Sequence, residues 1–261
     1  MALRHALTVV GTGIRCGTDL GENVRAALVD ADEVFVVASD PISFSVLQDI
    51  RPDATSLGGL YGYDVVRSET YKAMVERVLD RVRAGRRVCF AIPGHPGVFA
   101  EPTHEAIRRA RAEGFSAIML PAISSADHLY ADLAVDPGAA GSVNFEATDF
   151  LLRGTKADPT VALILWQIGA IGERCYPQNV NRNGLRLLSE VLVETYPPSH
   201  QVTVYEAARY ALCDPLVLRV RLDELSDSAV PLLSTLYVPP AAAAPVDSGR
   251  LARLKLASIS A

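Results

Sequence analysis

The chain has 261 residues, 49% of them hydrophobic, and a formal net charge of −5. That apolar content supports a packed core and excludes a disordered chain. No basic cluster marks a nucleic-acid surface, and no apolar run approaches the ~18 residues of a membrane span. Cys16, Cys89, Cys175 and Cys213 have no CxxC spacing and read as reduced thiols, not as a disulfide frame or a metal site. The start leads directly into a strand rather than a signal peptide, so the expected compartment is the cytoplasm.

Taken in chain order, residues 6–10 read as a strand. Asp19 is expected to cap the following helix, with Glu22 three residues on as in a capping box. That helix runs to residue 31. Residues 33–37 form a strand that Ser39-Asp40-Pro41 ends, and residues 42–50 a helix. Over residues 68–83, Tyr71, Met74, Val75, Val78, Leu79 and Val82 recur at helical spacing. Residues 87–92 read as a buried parallel strand, 102–112 as a helix and 116–120 as a strand. Such alternation predicts an α/β fold, a parallel sheet with helices on both faces. After Pro121 the spacing loosens. Strands at 142–146, 161–166, 201–205, 216–220 and 234–238 surround a helix at 183–195, which predicts a mixed sheet. The expected divisions are an N-terminal domain 1–121, a C-terminal domain 122–240 and a tail 241–261, Pro- and Ala-rich with a short helix at 250–256.

The most informative stretch is Ala-Ile-Pro-Gly-His-Pro-Gly-Val-Phe at 91–99. Gly94 and Gly97 let a ligand approach the backbone, and Pro93 and Pro96 stiffen the loop. A rigid, side-chain-poor loop after a parallel strand is where α/β proteins place ligands. Gly11-Thr12-Gly13 ends the first strand in the same way, although Cys16 stands where a dinucleotide fingerprint needs glycine. The pair reads either as a plain turn or as a ligand loop, and Ser39-Asp40-Pro41 either as a cap or as a crevice loop. His95, between Gly94 and Pro96, reads as a backbone-contact position, not a metal ligand. Residues 61–71 hold three tyrosines and one arginine. If a helix begins by Arg67, Tyr71 lies one turn on along the same face. A cation there favours the phenolate, which is one way to make a base from tyrosine. The other reading packs Tyr71 in the core and pairs Arg67 with a carboxylate. Gln167 beside the only tryptophan is either a ligand contact or a satisfied core amide. Tyr205-Glu206 and Ser234-Thr235 give similar strand-end signals.

Together these pieces resemble the tetrapyrrole-methylase superfamily of S-adenosylmethionine-dependent methyltransferases. The segments VGTG (10–13), SDP (39–41), GHPGVF (94–99), LPAISSADHLYADL (120–133) and TLYVPP (235–240) occur in the family's order. Within it, GHPGVF, the 120–133 run, NFEATDFLLRG (144–154) and WQIGAIG (166–172) most resemble the borosin peptide-backbone α-N-methyltransferases. The resemblance implies two αβα domains, a cofactor cleft between them and a homodimer. It maps Tyr61, Arg67 and Tyr71 onto catalytic positions. Tyr71 is then the base that takes the amide proton, Arg67 lowers its pKa and steadies the imidate oxygen, and Tyr61 positions the carbonyl or relays the proton. The base is needed because the amide lone pair is delocalised into the carbonyl.

Implied contacts to S-adenosylmethionine, or to its product S-adenosylhomocysteine, are Gly11, Gly13, Pro93, Gly94, His95, Val98, Phe99, Ser124, Ser125, Ala126, Gln167, Tyr205 and Thr235. Two positions depart from the borosin pattern: Gly58 stands where a further tyrosine is usual, with Tyr63 as a substitute phenol, and Pro93 where an aromatic is usual. Because fused borosins carry their substrate as a C-terminal extension and this sequence ends at Ala261, the expectation is the split type, acting on a separate precursor peptide or small precursor protein. The competing expectations are a precorrin-like C-methyltransferase, whose carboxylate-rich substrate calls for more Arg and Lys than residues 57–71 provide, and a degenerate methylase-fold binding subunit.

Overall fold

The computed structural model describes residues 5–15, 17–62, 64–176 and 178–256. The expectations placed on Cys16 and Tyr63 fall outside the described residues. By compactness the chain forms two units: Met1–Val135, Gly172–Val180 and Tyr205–Val217 make unit 1, and Asp136–Ile171, Asn181–Val204 and Leu218–Ala261 make unit 2. These units are interleaved along the chain, so they are a different object from two consecutive segments cut at 121. Composition along a chain carries no signal for a segment that leaves one unit, visits the other and returns.

In unit 1 the elements follow as β1 (Leu7–Gly11), α1 (Glu22–Asp30), β2 (Glu33–Val36), α2 (Pro41–Ile50), β3 (Thr55–Ser56), α3 (Arg67–Arg83), β4 (Val88–Ile92), α4 (Glu101–Ala112), β5 (Ala117–Leu120) and α5 (Ser125–Asp132). The sheet order is β3-β2-β4-β1-β5, and its pairings are parallel. Successive strand side chains point to opposite faces. Val9 and Phe90 therefore pack with Met74, Val78 and Leu79 of α3 and Ala106 of α4. Their neighbours Val10, Cys89 and Ala91 pack with Val24, Ala27 and Leu28 of α1 and Leu47 of α2 on the other face. Burial on both faces explains why β1 and β4 read as unbroken apolar runs. Each fully buried Val, Leu or Phe contributes about 1.5–3 kcal/mol, so Phe90→Ala, which also opens a cavity, costs about 3–5 kcal/mol.

Local punctuation follows the sequence with one correction. Asp40 caps α2, accepting from the Ser43 backbone N–H and hydroxyl at 2.8 Å each, with Pro41 at the first turn. Asp19 does not cap α1. The cap is Gly21, without a side-chain bond, because the Asp19 carboxylate is engaged in the loop after β1 instead.

The elements wholly or mainly in unit 2 are α6 (Pro137–Ala140), β6 (Ser142–Glu146), α7 (Ala147–Leu152), β7 (Ala162–Trp166), α8 (Arg182–Val193), β8 (Gln201–Glu206), β9 (Leu216–Arg221), β10 (Thr235–Val238) and α9 (Ser248–Arg253). The sheet order is β6-β7-β10-β8-β9, with β6 parallel and β10 antiparallel to β7. The sheet is mixed, as the irregular spacing predicts. Helix α8 buries Leu185, Leu188 and Leu192. Among the described residues no helix is long and apolar enough to cross a membrane.

Candidate functional site

Parallel strands end on one edge of the unit 1 sheet, and their loops are tied together through backbone. The Thr12 N–H donates to the Ile92 carbonyl at 2.8 Å, the Gly94 N–H to Gly13 at 2.8 Å and the Gly13 N–H to Gly94 at 3.3 Å. This approach requires glycine. A Cβ on Gly11 would lie 2.1 Å from the Gly94 carbonyl oxygen, and Gly13 has φ +74°. His95 shapes the turn: its Nδ1 accepts from the Gly97 N–H at 2.9 Å. The loop then presents Val98 and Phe99, 41% and 52% exposed, with Phe99 held at φ +49°.

The loop after β5 carries Ile123, 40% exposed. Ser124 and Asp127 form a reciprocal capping box at the start of α5. Burial opposes ionisation of Asp127, but the Ser124 hydroxyl and N–H outweigh it and hold the carboxyl below its ordinary range. The first-turn N–H groups of Ser125 and Ala126 have no carbonyl within the helix to bond. Beneath the β1 loop, Asp19 accepts from the Ile14 and Arg15 N–H groups at 3.0 and 2.8 Å and meets His128 Nε2 at 2.7 Å. A small cleft, partly open to solvent, runs past Thr12, Gly13, Ser39, Ser43 and Pro93.

The second cluster sits at the β3 end of the same sheet. Helix α3 begins at Arg67 without a side-chain cap, and its first N–H donates to the Arg174 carbonyl at 3.0 Å. Arg67 Nη2 donates to the Glu173 carbonyl at 2.6 Å. One turn on, Tyr71 meets Tyr61 edge to face, with ring centroids 6.5 Å apart. Burial, helped by Tyr71 and Tyr176 and opposed by Arg67, pushes the Tyr61 phenol well above its ordinary value, so it keeps its proton. Gly58 opens a short turn here. A Cβ on it would meet only Ser56 Oγ, at 3.3 Å, so packing does not demand glycine.

Gln167 and Thr235 belong to unit 2. Gln167 lies in the left-handed region at φ 60°, and Thr235 opens β10 beside Ser234, whose buried hydroxyl has no hydrogen-bond partner. Tyr205 is fully buried and donates to Asp132 Oδ2 at 2.7 Å, which leaves its backbone as the part able to meet a ligand. Among the described residues no group of three His, Cys, Asp or Glu side chains is placed to hold a metal. Sequence reasoning missed Tyr176 and the Asp19–His128 pair. Both depend on contacts made across more than a hundred residues, for which no local periodicity exists.

The family model for tetrapyrrole (corrin/porphyrin) methylases matches residues 6–226. The chain belongs to this family. A methyltransferase/ribosomally synthesized type III borosin cyclic peptide precursor from Anomoporia bombycina is 35% identical over 258 residues, 96% of this chain and 30% of that protein. A type I borosin cyclic peptide precursor of the same description from Mycena rosella is 37% identical over 255 residues, 95% of this chain and 64% of that protein. The chain thus spans between about a third and two thirds of these relatives' length. Among solved structures, uroporphyrin-III-C-methyltransferase from Thermus thermophilus aligns with TM-score 0.65 and 18% identity, covering 95% of this chain and 100% of the other. A cobalt precorrin-4 methyltransferase aligns with TM-score 0.64 and 14% identity, covering 90% and 95%. At those identities the likeness concerns the fold alone, and it agrees with the α/β architecture of the family member described above.

Proposed function

We propose that this methylase-family protein is an S-adenosylmethionine-dependent methyltransferase that N-methylates backbone amides of a borosin-type precursor peptide presented to it as a separate chain. The observation that carries the reading is the corner of Tyr61, Tyr71 and Arg67. It is two phenol side chains and one guanidinium, and that guanidinium already donates to a backbone carbonyl. Such a corner suits a planar, uncharged amide better than the many carboxylates of a tetrapyrrole. The borosin relatives support the peptide assignment.

The residues at the strand ends fit the cofactor. Gly11, Gly13, Pro93, Gly94 and His95 leave backbone rather than side chains at the edge. Exposed Val98 and Phe99 offer apolar surface to an adenine, and Ser125 and Ala126 offer first-turn N–H groups to a carboxylate or to ribose hydroxyls. Ser124 holds that turn. Gln167, Thr235 and the Tyr205 backbone complete the proposed set on the resemblance alone. S-adenosylmethionine, when bound, supplies an already activated methyl group.

The chain's own task is then to make the amide nitrogen nucleophilic and to hold it in line. Tyr71 takes the amide proton, Arg67 steadies the oxygen as the imidate forms, and Tyr61, which keeps its proton, donates to and orients the carbonyl. Holding the reacting atoms about 3–3.5 Å apart supplies several kcal/mol more. We further propose a cytoplasmic homodimer, to be checked by sedimentation.

The test is mass spectrometry of precursor-like peptides incubated with the purified chain and S-adenosylmethionine. Additions in steps of about 14 Da, located on amides that start with an N–H, support the reading. Methylation of a precorrin-like substrate, with peptides untouched, replaces it.

A further inference from the structure

Most of what unit 1 offers the cofactor is backbone, and it comes from separate segments: the loops after β1 and β4 and the first turn of α5. The two loops hold each other through Gly13 and Gly94. A side-chain link spanning 109 positions of sequence ties them to α5. Asp19 packs flush against Gly13, where an added Cβ would lie 2.1 Å from the Asp19 Cβ. A single Asp19 oxygen, Oδ2, accepts from the Ile14 N–H at 3.0 Å and the Arg15 N–H at 2.8 Å. His128 Nε2 meets that same oxygen at 2.7 Å. An oxygen that accepts from two amides fixes the imidazole's role: Nε2 carries the hydrogen and donates it. Both side chains are 9% exposed, so water competes little for the bond. On the α5 side, the His128 N–H donates to the Ser124 carbonyl at 3.3 Å, which ties the imidazole to the capped turn of Ser125 and Ala126. A second α5 side chain, Asp132, also reaches the loop. It stands 3.6 Å from Arg15 Nη2, beyond hydrogen-bond distance, and the arginine side chain is 33% exposed, so solvent screens the pair.

We propose that His128 is a positioning residue for S-adenosylmethionine: through Asp19 it holds the backbone of the β1 loop at the distance from the first turn of α5 at which one ligand meets both. The inference rests on the cofactor reading above and adds the side chain that sets the spacing of that site. Backbone donors cannot be re-aimed by a change of rotamer, so the separation of the segments that carry them decides whether they act together. The link is made before the ligand arrives, so binding does not bear the cost of ordering the loop. Leucine at 128 fills a similar volume but leaves the Asp19 oxygen one donor short and the loop free to shift.

The test is calorimetric titration of the full chain with S-adenosylhomocysteine, at a temperature where circular dichroism shows each variant folded. His128→Leu is expected to weaken binding by about tenfold or more, the worth of one buried hydrogen bond to a carboxylate. His128→Gln, whose amide nitrogen reaches the place of Nε2, restores most of that affinity. If His128→Leu does not fold, His128→Asn, too short to reach Asp19, replaces it with the same expectation. In turnover with a precursor peptide, His128→Leu raises KM for S-adenosylmethionine and leaves kcat unchanged. A fall in kcat at unchanged KM reports only fewer folded molecules and overturns the proposal. So does wild-type affinity in His128→Leu, or His128→Gln binding as weakly as His128→Leu. A wild-type chain that binds no S-adenosylhomocysteine overturns the cofactor reading itself, and the positioning role with it.

Discussion

The two clusters of unit 1 follow different strands of one sheet, the loops after β1 and β4 and the corner after β3, and are made from opposite materials. The loops at Gly11–Gly13 and Gly94–Phe99 are built from backbone, zipped by N–H to carbonyl bonds at 2.8 to 3.3 Å, with no room for a Cβ at Gly11. The corner at β3 and α3 is built from side chains: two phenols in contact, a third at Tyr176 and a guanidinium that reaches across 106 positions of sequence to Glu173. The first shape tolerates truncation and resists addition. The second resists truncation and tolerates addition. Substitutions therefore separate them.

The largest effect is expected in the corner. Arg67→Ala or Tyr71→Phe should lower the rate of methyl transfer by about 10²–10⁴-fold, the usual worth of a positioned acid–base group. Binding of S-adenosylhomocysteine, followed by calorimetry, should hardly change. Comparable losses of binding and rate would merge the two regions into one and break the comparison.

Next comes the backbone region. Gly11→Ala forces a Cβ to within 2.1 Å of a carbonyl oxygen and 2.7 Å of the Ala122 Cβ, atoms that move only with the main chain. Overpacking of this kind costs about 1–3 kcal/mol. A lowered melting temperature together with weakened S-adenosylhomocysteine binding is the expected pair of results. Asp19→Ala follows, because it leaves two N–H groups and His128 without their acceptor, and one such loss costs about 1–3 kcal/mol. It should lower stability while sparing the corner, so peptide affinity persists below the melting transition.

The smallest effect is spectroscopic. Tyr61 is raised in the folded state, so on moving above the ordinary tyrosine range the unfolded chain loses this proton before the folded one does. Its contribution to stability is present below pH 10 and declines as pH rises through the folded value. Alkaline titration of phenolate absorbance should lack one late-ionising tyrosine in Tyr61→Phe, and denaturant midpoints of that variant should fall less steeply above pH 10. Loss of a phenol that ionises in the ordinary range, in place of a late one, would put Tyr61 in solvent rather than in the corner.

The same contrast explains what the sequence could reveal. Apolar runs at β1 and β4 are legible because burial on both faces removes polar residues, and Pro41 after Asp40 announces α2 because its chemistry is local. The tetrapyrrole-methylase family is legible because its glycine loops come in a fixed order. The interleaving of the units and the ring of Tyr176 are not, since they arise from pairings between distant segments. Asp19 shows the opposite hazard. It stands at capping spacing, yet its carboxylate serves two N–H groups of the β1 loop and His128.

The most direct test of the account is fragmentation mass spectrometry of a precursor peptide after incubation with wild type, Arg67→Ala and Tyr71→Phe, each shown beforehand to bind S-adenosylhomocysteine. The account predicts methyl groups on backbone nitrogens with wild type and none above background with either variant. Backbone methylation at the wild-type rate by both variants would contradict it.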